Sequence, residues 1–253
     1  MKNIKKLVRE HVKDNRFKII FGILIYSAVS VSISMLFQTV NLIVVGLIPT
    51  TIISFIYFVE QYNFVDKVTH GKVVSFKDLF LKIKITKKEV TIALVYVVWA
   101  LLSLVILFLL GSVPKLAPLA VLILFILFVL SNAVNHMYYF ASNLNNDITY
   151  KEAINMVIKE RSLLLSSGIK TITCLLQGAL ITVLLNVFAY APQLDKILDL
   201  SYAESTILIN KVFASNVSTF IQTVGVLTTI FYVLFVSSVT YGTYVYKERR
   251  NIK

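Results

Sequence analysis

Ser131-Asn132-Ala133-Val134-Asn135-His136 is the most polar run inside any long apolar stretch of this chain. An imidazole there has the chemistry to move a proton, and an ionisable group inside a membrane marks a functional candidate. Asn132 and His136 are four residues apart, as are Ser131 and Asn135, so each pair shares a helix face. His136 lies about 19 residues into its stretch, near one end at 1.5 Å per residue. Hydrogen bonding between helices, or anchoring at the interface, is therefore the simpler role. His11 and His70 have no second ligand at metal spacing.

The other intramembrane polar candidates are Lys170, Gln177 and Gln222. Lys170 can reach the inner headgroups, and the two glutamines can pair across a bundle. With no charge at a midplane, an ion pump or proton relay is disfavoured. Pro49 lies inside an apolar run and predicts a helix kink. Gly-rich phosphate loops, GxSxG and HExxH are missing, which disfavours an ATPase or zinc protease. The expectation is no enzyme and no cofactor. The single cysteine, Cys174, sits in an apolar run and reads as a small buried hydrophobe.

Two short stretches repeat a pattern: Ser75-Phe76-Lys77-Asp78-Leu79 and Thr149-Tyr150-Lys151-Glu152-Ala153. A hydroxyl followed three residues later by an acid is a capping box, so Ser75/Asp78 and Thr149/Glu152 should each start a helix. Phe76, Leu79, Phe80 and Ile83 then form one apolar stripe, and Tyr150, Ala153, Ile154 and Val157 another. Lys77 and Lys151 lie beside them. Such helices are expected in the inner interface, with Phe76, Lys77, Phe80, Tyr150, Lys151 and Ile154 touching lipid or a partner.

The elements that position these residues follow from composition. The chain has 253 residues, 57% hydrophobic and only 15% charged, far from the balance of a soluble domain. Six uncharged or nearly uncharged runs, about 19–38, 41–60, 90–110, 117–140, 167–190 and 217–243, are long enough to span a bilayer. The first is too long for a signal-peptide core, so it is expected to be retained.

Of the 25 basic residues, 22 lie before the first run, between the second and third, between the fourth and fifth (with Lys170), or after the sixth. Only Lys115, Lys196 and Lys211 fall on the other side. The positive-inside rule then puts both termini in the cytoplasm. The net charge of +12 thus faces anionic lipid of the inner leaflet, which makes nucleic acid an unneeded partner. Tyr57, Phe58 and Tyr62; Tyr138, Tyr139 and Phe140; and Tyr241, Tyr244 and Tyr246 close the inward-running helices. They are expected at headgroup level as an aromatic belt.

The fold expected is one all-α polytopic membrane domain over 1–253, with six transmembrane helices, N-in and C-in. It divides into three parallel units, 3–62, 75–141 and 149–247, each an interfacial amphipathic helix followed by a transmembrane hairpin. The N-terminal copy matches in part: Ile4, Leu7 and Val8 hold stripe positions, but His11 and Lys6 depart. The segment 191–211 is expected as a short helix on the outer surface.

The pattern at Gly71–Phe80 and Asn145–Ile154, followed by long spans, resembles the polytopic membrane domain of glycerophosphoryl diester phosphodiesterases. It is also similar to YciC-type bacterial membrane proteins. The soluble phosphodiesterase barrel has no counterpart, so the resemblance implies architecture and no hydrolysis. The function expected is a non-enzymatic protein of a bacterial cytoplasmic membrane that binds lipid or a partner membrane protein, serving envelope homeostasis. The alternative is a transporter subunit, such as an ABC-type exporter permease docking an ATPase, or a bacteriocin immunity protein. An intramembrane enzyme using His136 ranks last.

Overall fold

The computed structural model describes residues 2–39, 43–70, 72, 74, 75, 78, 86–111, 113–145, 147–190, 201, 204–207 and 216–248. Seven helices carry the described chain. They are α1 (Lys2–Thr39), α2 (Ile43–Thr69), α3 (Lys87–Ile106), α4 (Ala117–Leu144), α5 (Tyr150–Lys159), α6 (Arg161–Tyr190) and α7 (Asn216–Glu248). A π-helical turn, Leu107–Gly111, extends α3. There is no strand among the described residues.

Five of these helices contain a stretch long and apolar enough to cross a membrane: Asn15–Leu36, Lys87–Gly111, Ala117–Leu144, Arg161–Leu184 and Ser218–Lys247. The expected second span falls on α2, which is helical through Pro49.

Local sequence explains the breaks. Thr86 N–H and Oγ1 both donate to Glu89 Oε2, which fixes the start of α3. Pro118 sits at the first turn of α4, where its missing N–H is no loss. Thr149 and Glu152 form a complete capping box at α5. α5 ends at Glu160, whose N–H still donates to Met156 O while its own carbonyl accepts from Leu163 and Leu164 of α6. That carbonyl lets one helix follow another across a single non-helical residue.

The N-terminal segment departs from expectation. A separate interfacial helix was expected before the first span, but Lys2–Thr39 is one unbroken helix. Neither Gly nor Pro occurs before Gly22, so nothing punctuates it. Several helix ends also run longer than the apolar runs. α2 continues to Thr69, α4 to Leu144 and α7 to Glu248, and α3 and α6 begin at Lys87 and Arg161.

Contacts divide the chain into two compact units. The first comprises Met1–Lys18, Phe55–Thr171 and Leu234–Lys253. Its core is aromatic: Tyr62, Phe64, Phe140, Phe235 and Tyr241 are all buried. Tyr62 stacks on Tyr139 at 4.1 Å and meets Phe140 edge-on at 5.9 Å. This corrects the expected aromatic belt. Tyr57, Tyr62, Tyr138, Tyr139, Phe140, Tyr241, Tyr244 and Tyr246 are buried, because their rings pack on one another and several of their hydroxyls find protein partners.

The second unit comprises Ile19–Ser54 and Ile172–Val233. Within it α6 and α7 cross at two matched motifs, Gly178-x-x-x-Thr182 and Gly225-x-x-x-Thr229. Each threonine hydroxyl donates back to the carbonyl of its own glycine, at 2.9 and 2.8 Å. A Cβ on Gly178 would lie 1.8 Å from Thr229 Oγ1, and one on Gly225 2.5 Å from Thr182 Oγ1. The helices approach so closely only because both positions lack a side chain.

Candidate functional site

Within the first unit, the C-terminal ends of α2, α4 and α7 meet the start of α3 around a polar cleft of about 410 Å³. Its walls are Asn63, Asp66 and His70 of α2 and its end, Thr86, Lys88 and Glu89 at α3, Tyr139, Asn143 and Leu144 of α4, and Tyr246 of α7.

A hydrogen-bond web joins these walls. Tyr246 OH donates to Asp66 Oδ1, and Asn143 Nδ2 donates to the same oxygen at 3.1 Å. Asn143 Nδ2 also reaches Tyr246 OH at 3.0 Å, and its Oδ1 accepts from Lys88 Nζ. Lys88 Nζ lies 5.1 Å above the Tyr139 ring, a cation–π arrangement. His70 Nδ1 sits 2.7 Å from Asp66 O and 3.8 Å from Asp66 Oδ1. The His70 ring lies 4.3 Å from that of Tyr246. Asp66, Asn143 and Tyr246 thereby tie three helices at one point.

One layer beneath, His136 is fully buried and its Nδ1 is 2.8 Å from Tyr62 OH. Its ring is 6.0 Å from that of Tyr241. The bond links α4 to α2, while Nε2 has no hydrogen-bond partner among the described residues. No group of three or more potential metal ligands occurs among the described residues.

The remaining predicted residues are distributed over α4, α5, α6 and α7. Asn132 Oδ1 accepts from Tyr96 OH at 2.5 Å and its amide donates to Phe128 O, so it binds α3 to α4. Asn135 Oδ1 accepts from Tyr150 OH at 2.8 Å, and Tyr150 also packs edge-on against Tyr138. Tyr150, expected to meet lipid or a partner, docks α5 on α4. Burial pushes its phenol up to about 12.

Lys151 is exposed, and Ile154 is partly exposed. Lys170 donates to Thr240 Oγ1 at 2.9 Å. The expected Gln177–Gln222 pair is replaced by other contacts: Gln222 donates to Ser218 Oγ on its own helix, and Gln177 is exposed. The α6 face that meets α7 carries Gly178, about 100° round the helix from Gln177.

Ser75 and Asp78 do interact. Ser75 N–H and Oγ reach Asp78 Oδ2 at 2.8 and 3.1 Å. Lys67 Nζ lies 2.5 Å from Asp78 Oδ1. Lys67 and the Ser75 backbone together hold the Asp78 carboxyl down at about 2. The helix expected after Ser75, with Phe76, Lys77 and Phe80, lies outside the described residues, and so does most of the 191–211 segment.

Sequence reasoning passed over Asp66, Lys88, Glu89 and Asn143, and it gave Tyr246 only a place in the aromatic belt. Thr86-x-x-Glu89 is itself a capping box pattern and was a usable signal. Ser201 and Glu204 form one too, starting the helical turn 204–207. The pattern thus marks helix starts generally. No protein-family model, no curated protein and no solved structure matches the chain.

Proposed function

We propose that the chain is a non-enzymatic, six-span protein of a bacterial cytoplasmic membrane, with both termini inside, that binds lipid at the inner leaflet. α2 supplies the sixth span. The observation that carries the reading is α5. Its apolar stripe is shared between two surroundings: Ala153 and Val157 are buried against the protein, while Ile154 and Ile158 are 38% and 55% exposed. Lys151 and Lys159 flank these isoleucines and are exposed.

A helix so divided suits a place between the bundle and the headgroups, apolar edge in the leaflet and lysines on anionic lipid. The basic belt of 22 residues lies on the same expected side. Burying a whole isoleucine side chain is worth about 1.5–3 kcal/mol, so two half-exposed ones favour insertion modestly, and the lysines add to it.

The test uses the single tryptophan, Trp99. In a Trp99→Phe background, Ile158→Trp in anionic vesicles should be quenched by lipids brominated near the headgroup end of the chain. Quenching by aqueous iodide alone, with none from the brominated lipid, would put α5 in water and sink the reading.

A further inference from the structure

We infer that the cleft between α2, α3, α4 and α7 binds the primary ammonium group of a small amine. Two carboxylates line it. Asp66 takes the donations of Tyr246 and Asn143 on Oδ1. Glu89, only 2% exposed, takes both donations from Thr86 on Oε2. Asp66 Oδ2 and Glu89 Oε1 are therefore left without a protein donor among the described residues.

Neither carboxylate has a lysine or arginine within ion-pair distance among those residues; His70, 3.8 Å from Asp66 Oδ1, is the near imidazole. Lys88, the cation of the cleft, is committed elsewhere, to Asn143 Oδ1 and the Tyr139 ring. A carboxylate as enclosed as Glu89, with no ion-pair partner among the described residues, favours a cation beside it.

The chemistry of that cation follows from the walls. An ammonium group has three N–H donors, enough to satisfy both open oxygens. The absence of a three-ligand cluster among the described residues disfavours a metal ion, and two carboxylates against one lysine disfavour an anion. The volume of about 410 Å³ is within the range of small-molecule sites.

Two sources carry this group: the ethanolamine headgroup of a phospholipid, and a soluble di- or polyamine. Placing the cleft beside inner-leaflet headgroups rests on the topology proposed above; the ammonium chemistry does not.

The full chain in detergent is titrated calorimetrically with ethanolamine and with spermidine, and with glycerol phosphate as the anion. Saturable binding of an amine is expected. Glu89→Gln keeps a capping side chain on Thr86 yet should weaken binding about tenfold or more, the loss of one charge-assisted hydrogen bond. Lys88→Gln should tighten it by removing like charge, a direction that mere structural damage does not give.

No saturable amine binding, indifference to Glu89→Gln, weakening by Lys88→Gln or preference for the phosphate each overturns the inference. Nanodiscs then sort the source. Suppression of spermidine binding by ethanolamine lipid, relative to choline lipid, identifies the headgroup as guest; equal binding in both identifies the soluble amine. An inverted topology would leave the detergent result intact, so the two failures are separable.

Discussion

Replacing Gly178 by alanine tests the close crossing of α6 and α7. The new methyl carbon would lie 1.8, 2.3 and 2.5 Å from Thr229 Oγ1, Cγ2 and Cβ. Rotating the threonine cannot relieve a clash with its own Cβ. Ordinary carbon contacts need about 3.5 Å, so the helices must part by roughly 1 Å or more.

Alanine gains about 1 kcal/mol in helix propensity over glycine. Overpacking costs about 1–3 kcal/mol, and parting the helices also loosens the contacts around the crossing. A net loss of up to about 2 kcal/mol follows. Two further variants calibrate it. Gly168→Ala meets only Val129 Cγ1 at 3.8 Å, so it should be neutral or slightly stabilising. Gly225→Ala meets Thr182 Oγ1 at 2.5 Å but Thr182 Cβ at 3.4 Å, so it should be destabilising alone and largely rescued by Thr182→Ala. The assay is unfolding of the micellar protein by SDS, followed by circular dichroism. Gly178→Ala as stable as Gly168→Ala, or no rescue of Gly225→Ala, would refute the crossing.

Other consequences are open to the same kind of measurement. Asp78 is held at about 2 by Lys67 and Ser75, below its ordinary value. The stability it confers is therefore complete above about pH 4 and lost as pH falls toward 2. Asp78→Asn should flatten that part of the pH–stability profile, and an unchanged profile would remove the ion pair from the account. Thr149→Ala removes the hydroxyl that accepts from Glu152 N–H, at a cost of about 1 kcal/mol. Amide exchange in α5 should accelerate while α4 is unaffected.

Five of the expected spans were readable because uncharged apolar runs have few alternative homes. Several of the helix ends were not. Asp66, Asn143 and Tyr246 interrupt hydropathy, so each helix was ended short of them. Yet these polar groups satisfy one another and let α2, α4 and α7 continue by one turn or more. The aromatic residues were assigned to headgroups by type alone, whereas Tyr62 finds His136 and Tyr246 finds Asp66. Thr149 and Glu152 were legible as a cap because the motif is local. Whether such a cap opens a span or an interfacial helix is not local, as Thr86–Glu89 at the start of α3 demonstrates.

Orientation of the bundle underlies the lipid-binding account, and it is testable with two cysteines. In a Cys174→Ser background, Lys72→Cys and Lys115→Cys place exposed thiols on opposite expected sides. In intact cells a membrane-impermeant maleimide should label the thiol at position 115 and spare that at 72 until the membrane is opened. Labelling at 72 with protection at 115 would contradict the account.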